Sequence, residues 1–227
     1  MLPTVSLVIP VLFDANAASA LLGTLPSSPS LEIIVVDGAA DPHLESIVAA
    51  HGRASLQRTN AGRARQMNAG VATATGEWLL FLHADSTLPA GWLAAIAALE
   101  DDVVGGWFRF ALDDAAWQAR VIERLTAWRV KHLGLPYGDQ GLFVRRRVFE
   151  TLGGYRDVPL MEDVEFVRRM VRAGRVAELP LQLTTSARRW RRDGWFGRSA
   201  KNLLLVGLYF LGVRPARLAR WYGRPTV

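Results

Sequence analysis

The 227-residue chain contains no cysteine and only two lysines, Lys131 and Lys201. The absence of cysteine excludes disulfide bonds, zinc–thiolate sites, iron–sulfur clusters and a thiol nucleophile. Because two of the 27 basic residues are lysines, the other 25 are arginines. This bias reflects either a GC-rich genome or the recognition of phosphates and carboxylates by planar guanidinium groups.

Charged residues are also scarce, at 21%, whereas apolar residues make up 50%. This composition excludes intrinsic disorder and a simple coiled coil. No basic region precedes an apolar stretch at the N-terminus, so we expect no signal peptide. The eleven uncharged residues 203–213 are too few to cross about 30 Å of hydrocarbon. We therefore expect a cytoplasmic protein, with peripheral contact at the inner face of the membrane as a further option.

Three common motifs are missing as well. No G-x-G-x-x-G follows the first apolar run, and neither G-x-x-x-x-G-K-[ST] nor G-x-S-x-G occurs. These absences argue against a dinucleotide-binding dehydrogenase, a P-loop phosphotransferase and the usual α/β-hydrolase. A nucleotide site would have to be built from acidic residues and an arginine-bearing loop.

Apolar runs alternate with helical segments along most of the chain. This order predicts an α/β fold with a mostly parallel central sheet and helices on both faces. Ligands of such sheets bind at the carboxyl ends of the strands, which here fall at Pro10, Asp37 and Asp85. The predicted strands are 5–11, 31–36, 78–82 and 103–112, the last with a break at its Gly-Gly pair, and the predicted helices are 15–25, 42–51, 63–74, 89–100, 114–131, 145–152 and 163–173.

Basic charge is concentrated at the C-terminal end. From residue 186 onward there are ten basic residues and one acid, a net charge of +9, whereas residues 1–185 carry −3. We therefore divide the chain into a domain at 1–190 and a basic, apolar, helical extension at 191–227. We expect residues 195–224 to contact anionic membranes without spanning them, through arginines and aromatic rings around 203–213. The alternative is a last core helix with a solvated arginine rim.

Asp37 ends a predicted strand, where a carboxylate can accept a hydrogen bond from a nucleobase or a ribose. It could instead cap the next helix, a role for which Asp41 is better placed. The segment around Gly62 and Arg63 opens a helix, and a helix N-terminus with a mobile, exposed cation favours phosphate. A solvated amphipathic helix is the alternative for this segment.

His83 and Asp85 follow the most apolar predicted strand. Two residues at positions i and i+2 of a strand end point the same way and can share a divalent ion. Imidazole with carboxylate suits Mn²⁺, and a carboxylate alone suits Mg²⁺. A structural histidine is the alternative for His83.

Four segments in this order resemble the family 2 glycosyltransferases, whose fold is called GT-A: SLVIPV at 6–11, VDG at 36–38, GRARQMNAG at 62–70 and FLHAD at 81–85. The resemblance covers residues 4 to about 190. The last two segments also resemble the branch associated with radical-SAM/selenodomain proteins, some members of which are linked to arsenosugar synthesis, a link that fixes no substrate here. The resemblance implies an inverting transferase that uses a nucleotide-diphosphate sugar, with a UDP-sugar favoured, and a divalent cation, Mg²⁺ or Mn²⁺.

The resemblance also assigns roles to individual residues. By this resemblance Asp163 is the catalytic base, with Glu162 beside it, in an E-D motif at a helix start. Alternatively, acids at a helix start stabilise the helix dipole and have no catalytic role. Asp85 is the second acid of a D-x-D motif whose first acid is replaced by His83, and these two are the metal ligands. The donor-binding set is Pro10, Asp37, Gly62, Arg63, Asn68 and Arg189.

The acceptor-binding set is Asp139, Gln140 and Trp190. Asp139 and Gln140 lie in a Tyr-Gly-Asp-Gln-Gly segment that could equally be a plain turn. Residues 188–190 resemble the end of the Q-x-x-R-W motif of polymerising members, but Ser186 replaces its glutamine, so processive polymer synthesis is in doubt. The acceptor itself is not indicated, and we expect no nucleic-acid partner.

Two other functions stay open. A catalytically weakened, membrane-peripheral nucleotide-binding protein on the same fold would explain the missing first acid. The retention of both Asp85 and Asp163 favours the enzyme, because a decayed site has no reason to keep the pair. A sugar-nucleotide pyrophosphorylase would need a glycine-rich loop after the first strand, which is absent.

Overall fold

The computed structural model of the chain describes residues 4–223. The strands are β1 (Val5–Val11), β2 (Leu31–Asp37), β3 (Ala54–Arg58), β4 (Trp78–Phe81), β5 (Ser86–Thr87), β6 (Val103–Leu112), β7 (Leu142–Arg145) and β8 (Arg175–Thr185). The helices are α1 (Ala15–Thr24), α2 (Pro42–His51), α3 (Arg63–Thr73), α4 (Trp92–Ala97), α5 (Trp117–Leu133), α6 (Arg146–Thr151), α7 (Glu162–Ala173), α8 (Arg188–Asp193), α9 (Trp195–Phe210) and α10 (Pro215–Tyr222), with a short 3-10 turn at Gly138–Gln140.

The eight strands form one mixed sheet in the order β3-β2-β1-β4-β7-β6-β8-β5. The half built from β3, β2, β1 and β4 is parallel, as expected. The strand β7, which was not predicted, runs antiparallel to both β4 and β6, and β5 runs antiparallel to β8. In the other half, β6 and β8 also pair in parallel, so the sheet is mixed and is parallel throughout only in its N-terminal half.

The strand β1 is buried on both faces, which explains its near-continuous apolar sequence. Val5, Leu7 and Ile9 contribute to the cluster that packs α1, α2 and α4 against one face. Val8 points to the other face and joins the cluster beneath α3, α6 and α7. All four side chains are fully buried, at a gain of about 1.5–3 kcal/mol each. This burial fixes the strand whose end meets the site.

The glycine pair Gly105-Gly106 does not break β6, contrary to the expectation. The strand runs through it, and a Cβ on Gly105 would lie 2.6 Å from both Met170 Sδ and the Phe143 carbonyl oxygen. The pair is thus a place of close packing against α7 and β7. The partner strand β8 was missed, and its pairing with β6 jumps from Leu179 to Gln182. Pro180, which has no N–H to donate, lies in the resulting bulge.

The C-terminal helices pack on the rest of the protein. Trp190 of α8 joins Phe110 and Ile122 in one buried cluster, and Leu205 and Val206 of α9 join the residues 160–164 in another. The segment 203–213 is therefore divided between a buried and an exposed side. Arg224, which was expected to flank this segment, lies outside the described residues.

No helix among residues 4–223 combines the length and the hydropathy that a membrane crossing requires.

Candidate active site

A cavity with about 760 Å³ of empty space, part of it open to solvent, lies where β4, the 3-10 turn and the start of α7 meet α8 and α9. Its lining includes acids and arginines as well as apolar residues. Seven of the residues singled out from the sequence line it, namely Arg63, His83, Asp85, Asp139, Asp163, Arg189 and Trp190.

Asp163 lies in the first turn of α7 and its carboxylate is held in place by backbone groups. The N–H of Gly138 donates to Oδ2 at 2.8 Å, and the N–H of Val164 donates to Oδ1 at 2.8 Å. The helix begins after Met161, whose φ of 68° lies in the left-handed region that favours glycine. Backbone strain of this kind clusters at functional sites, where the surrounding structure enforces it.

His83 stands beside Asp163. A Cβ on Gly138 would lie 3.3 Å from both His83 Nε2 and Asp163 Oδ2, so the glycine leaves room for the two groups to approach the same backbone. Burial and the nearby charges of Arg63 and Arg189 lower the pKa of His83 to about 3. The imidazole is therefore neutral at pH 7 and offers a lone pair to a cation or a hydrogen-bond donor.

Asp139 is carried by the 3-10 turn and its Oδ1 is buried without a hydrogen-bond partner. Burial raises the pKa of Asp139 to about 6; the charges of Asp163 and Asp85 act in the same direction, against Arg129 and Arg63. The site thus holds three carboxylates that repel one another when all are ionised.

We expect Asp139→Asn to stabilise the protein at neutral pH. Because the folded pKa of Asp139 lies near 6 and its ordinary value is 3.8, the folded state binds more protons than the unfolded state between these pH values, and its stability falls as the pH rises through this window. The amide removes this loss, which amounts to at most about 3 kcal/mol at pH 7. Urea unfolding at pH 7 and pH 4 measures the difference, with the fully exposed Asp101→Asn as control. A gain of equal size at both pH values would contradict the assignment.

Two arginines, Arg63 and Arg189, line the cavity together with these acids. Arg63 Nε lies 3.0 Å from Glu162 Oε1, and the Glu162 side chain is only 3% exposed. Burial raises the pKa of Glu162 while Arg63 lowers it, and Glu162 raises the pKa of Arg63. Arg189 Nη2 lies 3.8 Å from Asp85 Oδ2. The expectation of an exposed, mobile Arg63 therefore holds only in part, because the side chain is 38% exposed but ion-paired with Glu162.

Six of the predicted site residues do not line this cavity: Pro10, Asp37, Gly62, Asn68, Gln140 and Glu162. Asp37 is 1% exposed, and its two carboxylate oxygens accept hydrogen bonds from the N–H groups of Ala39 and Asp41. The alternative in which Asp37 caps α2 is wrong, because Asp41, the better-placed residue, caps this helix by accepting from the His43 N–H. In this conformation Asp37 shapes the loop after β2, and its contact with a nucleobase stays a prediction.

Asn68 and Gln140 use their side chains to hold other loops. Asn68 both donates to the carbonyl and accepts from the N–H of Tyr155, at 2.7 and 2.9 Å. Gln140 donates to the Phe108 carbonyl and accepts from the Tyr137 N–H. Their roles in donor and acceptor binding also stay predictions.

Sequence reasoning missed a buried glutamine and the whole wall that α9 supplies. Gln66 is 1% exposed, and its Nε2 donates at 2.8 Å to the carbonyls of Val11 and Val36, which ties the ends of β1 and β2 together. The sequence did offer a signal for this glutamine: it is a polar residue in the segment at the start of α3 that resembles the family motif. The wall has no such signal, because its residues are distant in sequence from the rest of the site: Arg198, Asn202, Leu205 and Val206 of α9, joined by Tyr222 of α10.

Comparison with known proteins gives matches over most of the chain. The PGL/p-HBAD biosynthesis glycosyltransferases of Mycobacterium tuberculosis and Mycobacterium bovis are 31% identical to it over an alignment of 169 residues that covers 67% of this chain. The chain spans 63% of the length of these curated relatives.

Solved structures with the same fold include two complexes with nucleotide sugars. The mannosyltransferase PcManGT from Pyrobaculum calidifontis, solved with GDP-Man and Mn²⁺, matches 95% of this chain and 67% of its own with a TM-score of 0.71 and 19% identity. TarS 1-349 of S. aureus, solved with UDP-GlcNAc, matches 81% of this chain and 58% of its own with a TM-score of 0.61 and 16% identity. The family model described as Glycosyl transferase family 2 matches residues 6–153, well over half of the chain, and the chain therefore belongs to this family.

Proposed function

We propose that this protein is an inverting glycosyltransferase that moves a sugar from a nucleotide-diphosphate donor to an acceptor hydroxyl. The observation that carries the proposal is that Asp163, Asp85, Arg63 and Arg189 face one cavity. Asp163 takes the proton of the acceptor hydroxyl while that oxygen bonds to the anomeric carbon, and the bond from this carbon to the diphosphate oxygen breaks. A single displacement of this kind inverts the anomeric centre.

The arginines bind the diphosphate and stabilise the charge that develops as it leaves. Guanidinium groups bind phosphate oxygens through paired, charge-assisted hydrogen bonds. Because these cations are already in place, little reorganisation is needed as the transition state forms. Related folds hold GDP-Man in PcManGT and UDP-GlcNAc in TarS. Both support a nucleotide-sugar donor here, and we favour a UDP-sugar from the resemblance of the sequence motifs.

The side chains of the site supply too few ligands for a divalent cation, so the substrate must supply the others. Within residues 4–223, no group of three or more His, Asp or Glu side chains is placed to hold a metal ion. Asp85 and the neutral His83 would supply two ligands and the diphosphate oxygens the others, an arrangement common for Mg²⁺ and shared by Mn²⁺. When bound, the cation would add positive charge against the leaving diphosphate. PcManGT was solved with Mn²⁺.

We expect Asp85→Ala to weaken UDP binding by roughly 10–100-fold when Mn²⁺ is present, about 1.4–2.7 kcal/mol, and by far less without the metal. The carboxylate contributes through the cation, so its loss matters only when the cation is there. Titration calorimetry with UDP, with and without Mn²⁺, measures both affinities, and the exposed Asp157→Ala serves as control. Equal losses in the two conditions would make Asp85 a ribose ligand.

The second candidate is a catalytically weakened nucleotide-binding protein on the same fold. Replacement of the first D-x-D acid by His83 favours it, whereas the shared cavity of Asp85 and Asp163 favours the enzyme. A panel of UDP- and GDP-sugars, assayed for released nucleoside diphosphate with a mixed set of hydroxyl acceptors, separates the two. Release that Asp163→Asn abolishes supports the transferase. Nucleotide-induced thermal stabilisation without release from any donor supports the binding protein.

Three finer expectations stay predictions. They are the link to the radical-SAM-associated branch, the cytoplasmic location and the contact of residues 195–224 with an anionic membrane. The first depends on sequence likeness alone, and the second on the expected absence of a signal peptide and of a membrane-spanning run. For the membrane contact, the structure provides exposed apolar side chains on α9.

A further inference from the structure

Two neighbouring helices, α5 and α9, carry large apolar side chains that face solvent. The helices contact each other, and the rings of Trp117 and Phe196 at their N-terminal ends are 5.8 Å apart. The exposed side chains form what we call the α5–α9 surface. They are Trp117, Leu125 and Trp128 on α5 and Phe196, Leu203 and Leu204 on α9, and each is between 46% and 64% exposed.

The core does not require these side chains. The inner side of α9 already buries Leu205 and Val206 against Leu160 and Val164. Leu203 and Leu204, which immediately precede them, are 59% and 62% exposed. Exposed apolar patches rimmed by polar residues mark interaction sites in soluble proteins. The alternative in which 203–213 is wholly a core helix is therefore wrong.

The positive charge around this surface indicates what kind of partner it binds. The helices α5, α9 and α10 carry eight basic residues and one acid, Glu123, and Glu123 is paired with Arg120 at 2.8 Å. Within residues 4–223, no carboxylate forms an ion pair with Arg124 or Lys131 of α5, or with the two exposed arginines of α10. Unpaired cations beside tryptophan and leucine match the interface of a bilayer that contains acidic lipid.

We propose that the α5–α9 surface docks this protein peripherally on a bilayer of anionic phospholipid. The inference goes beyond the proposed transferase activity and does not depend on it. It also moves the contact from the C-terminal segment alone to a surface that includes α5. A second copy of the chain is a poorer occupant, because two such basic faces would repel each other.

Co-sedimentation with vesicles tests the proposal. We expect the wild type to bind phosphatidylglycerol vesicles at low salt, to leave them as NaCl screens the charges, and to ignore phosphatidylcholine vesicles. The triple variant Trp128→Ser/Leu203→Ser/Leu204→Ser is expected to lose at least about tenfold in apparent partition coefficient. Phe13→Ser, which removes an equally exposed ring elsewhere, should bind as the wild type does.

A second pair of variants separates the surface from net charge. Arg124→Gln/Lys131→Gln should weaken binding more than Arg53→Gln/Arg58→Gln, although both remove two positive charges. In vesicles of phosphatidylglycerol with brominated acyl chains, tryptophan fluorescence should be quenched in the wild type and less so in Trp117→Phe/Trp128→Phe. This readout stays decisive if the triple variant does not fold.

Three results would overturn the proposal. One is the absence of binding to phosphatidylglycerol at low salt, and another is equal quenching in the wild type and in Trp117→Phe/Trp128→Phe. The third is self-association of the wild type in sedimentation velocity that the triple variant abolishes, which would assign the surface to a second copy of this chain.

Discussion

Asp163→Asn is expected to lower the rate of sugar transfer by about 10²–10⁴-fold while donor binding stays nearly unchanged. The amide keeps the shape of the side chain but cannot take a proton from the acceptor hydroxyl. The measurement is kcat for nucleoside diphosphate release under saturating substrates, together with the donor Kd. A variant that keeps more than about half of the wild-type kcat would disprove the base assignment, since a general base contributes far more than twofold.

The substitution is also expected to lower the stability of the protein, so a control variant must show what such a loss does to activity. Both Asp163 oxygens accept backbone N–H groups, from Gly138 and Val164, and asparagine offers only one oxygen. The unpaired N–H costs about 1–3 kcal/mol of stability. Asp114→Asn is the matched control, because Asp114 accepts the Ala116 N–H at the start of α5 outside the cavity. It should lose stability and keep its activity.

Features encoded by local pattern could be predicted from the sequence. The strands β1 and β2 and the helix α2 were predicted with at most one residue of error, because their apolar runs and caps lie within the segments themselves. Asp85 was singled out because it follows a predicted strand, and Asp163 because its Glu-Asp pair resembles a family motif at a helix start. The cavity that joins them was implied by the rule that ligands bind at strand ends.

Features that depend on distant partners could not be predicted. The strand β7 is four residues long and its apolar run leads directly into α6, so its pattern merges with that of the helix. The strand β8 contains Pro180 and alternates imperfectly, since its bulge is accommodated by β6. The charge change near residue 186 indicated a separate extension, yet its α9 side chains Leu205 and Val206 line the cavity.

The ion pair of Arg63 with Glu162 is the partner-dependent feature with the largest consequence. Arg63 opens α3 and Glu162 opens α7, and nothing local to either segment indicates that they meet. The pair places a guanidinium at the cavity and gives a nearly buried carboxylate its only cationic neighbour within 4.0 Å in the described part of the chain. Arg63 therefore has a structural role in addition to its expected contact with the donor.

Arg63→Ala is consequently expected to lose both donor affinity and stability. The free energy of donor binding should weaken by about 1.5–3 kcal/mol if Arg63 makes a charge-assisted hydrogen bond to the nucleotide. The free energy of unfolding should fall by about 2–3 kcal/mol at pH 7, because Glu162 is left buried without its partner. This loss should shrink as the pH falls, since burial raises the pKa of Glu162 and lets it take up a proton. Urea unfolding and calorimetry with the donor measure the two losses.

The double variant Arg63→Ala/Glu162→Gln separates the two roles. Without a buried charge it should regain most of the lost stability, but it should not regain donor affinity, because no guanidinium returns to the cavity. Arg65→Ala is the matched control in the same helix: Arg65 is 49% exposed and pairs with Asp157, which is 58% exposed, and such surface pairs contribute at most about 1 kcal/mol. If the donor affinity of all three variants equals that of the wild type, the diphosphate lies elsewhere in the cavity, and the adjacent Arg188 and Arg189 become the residues to replace.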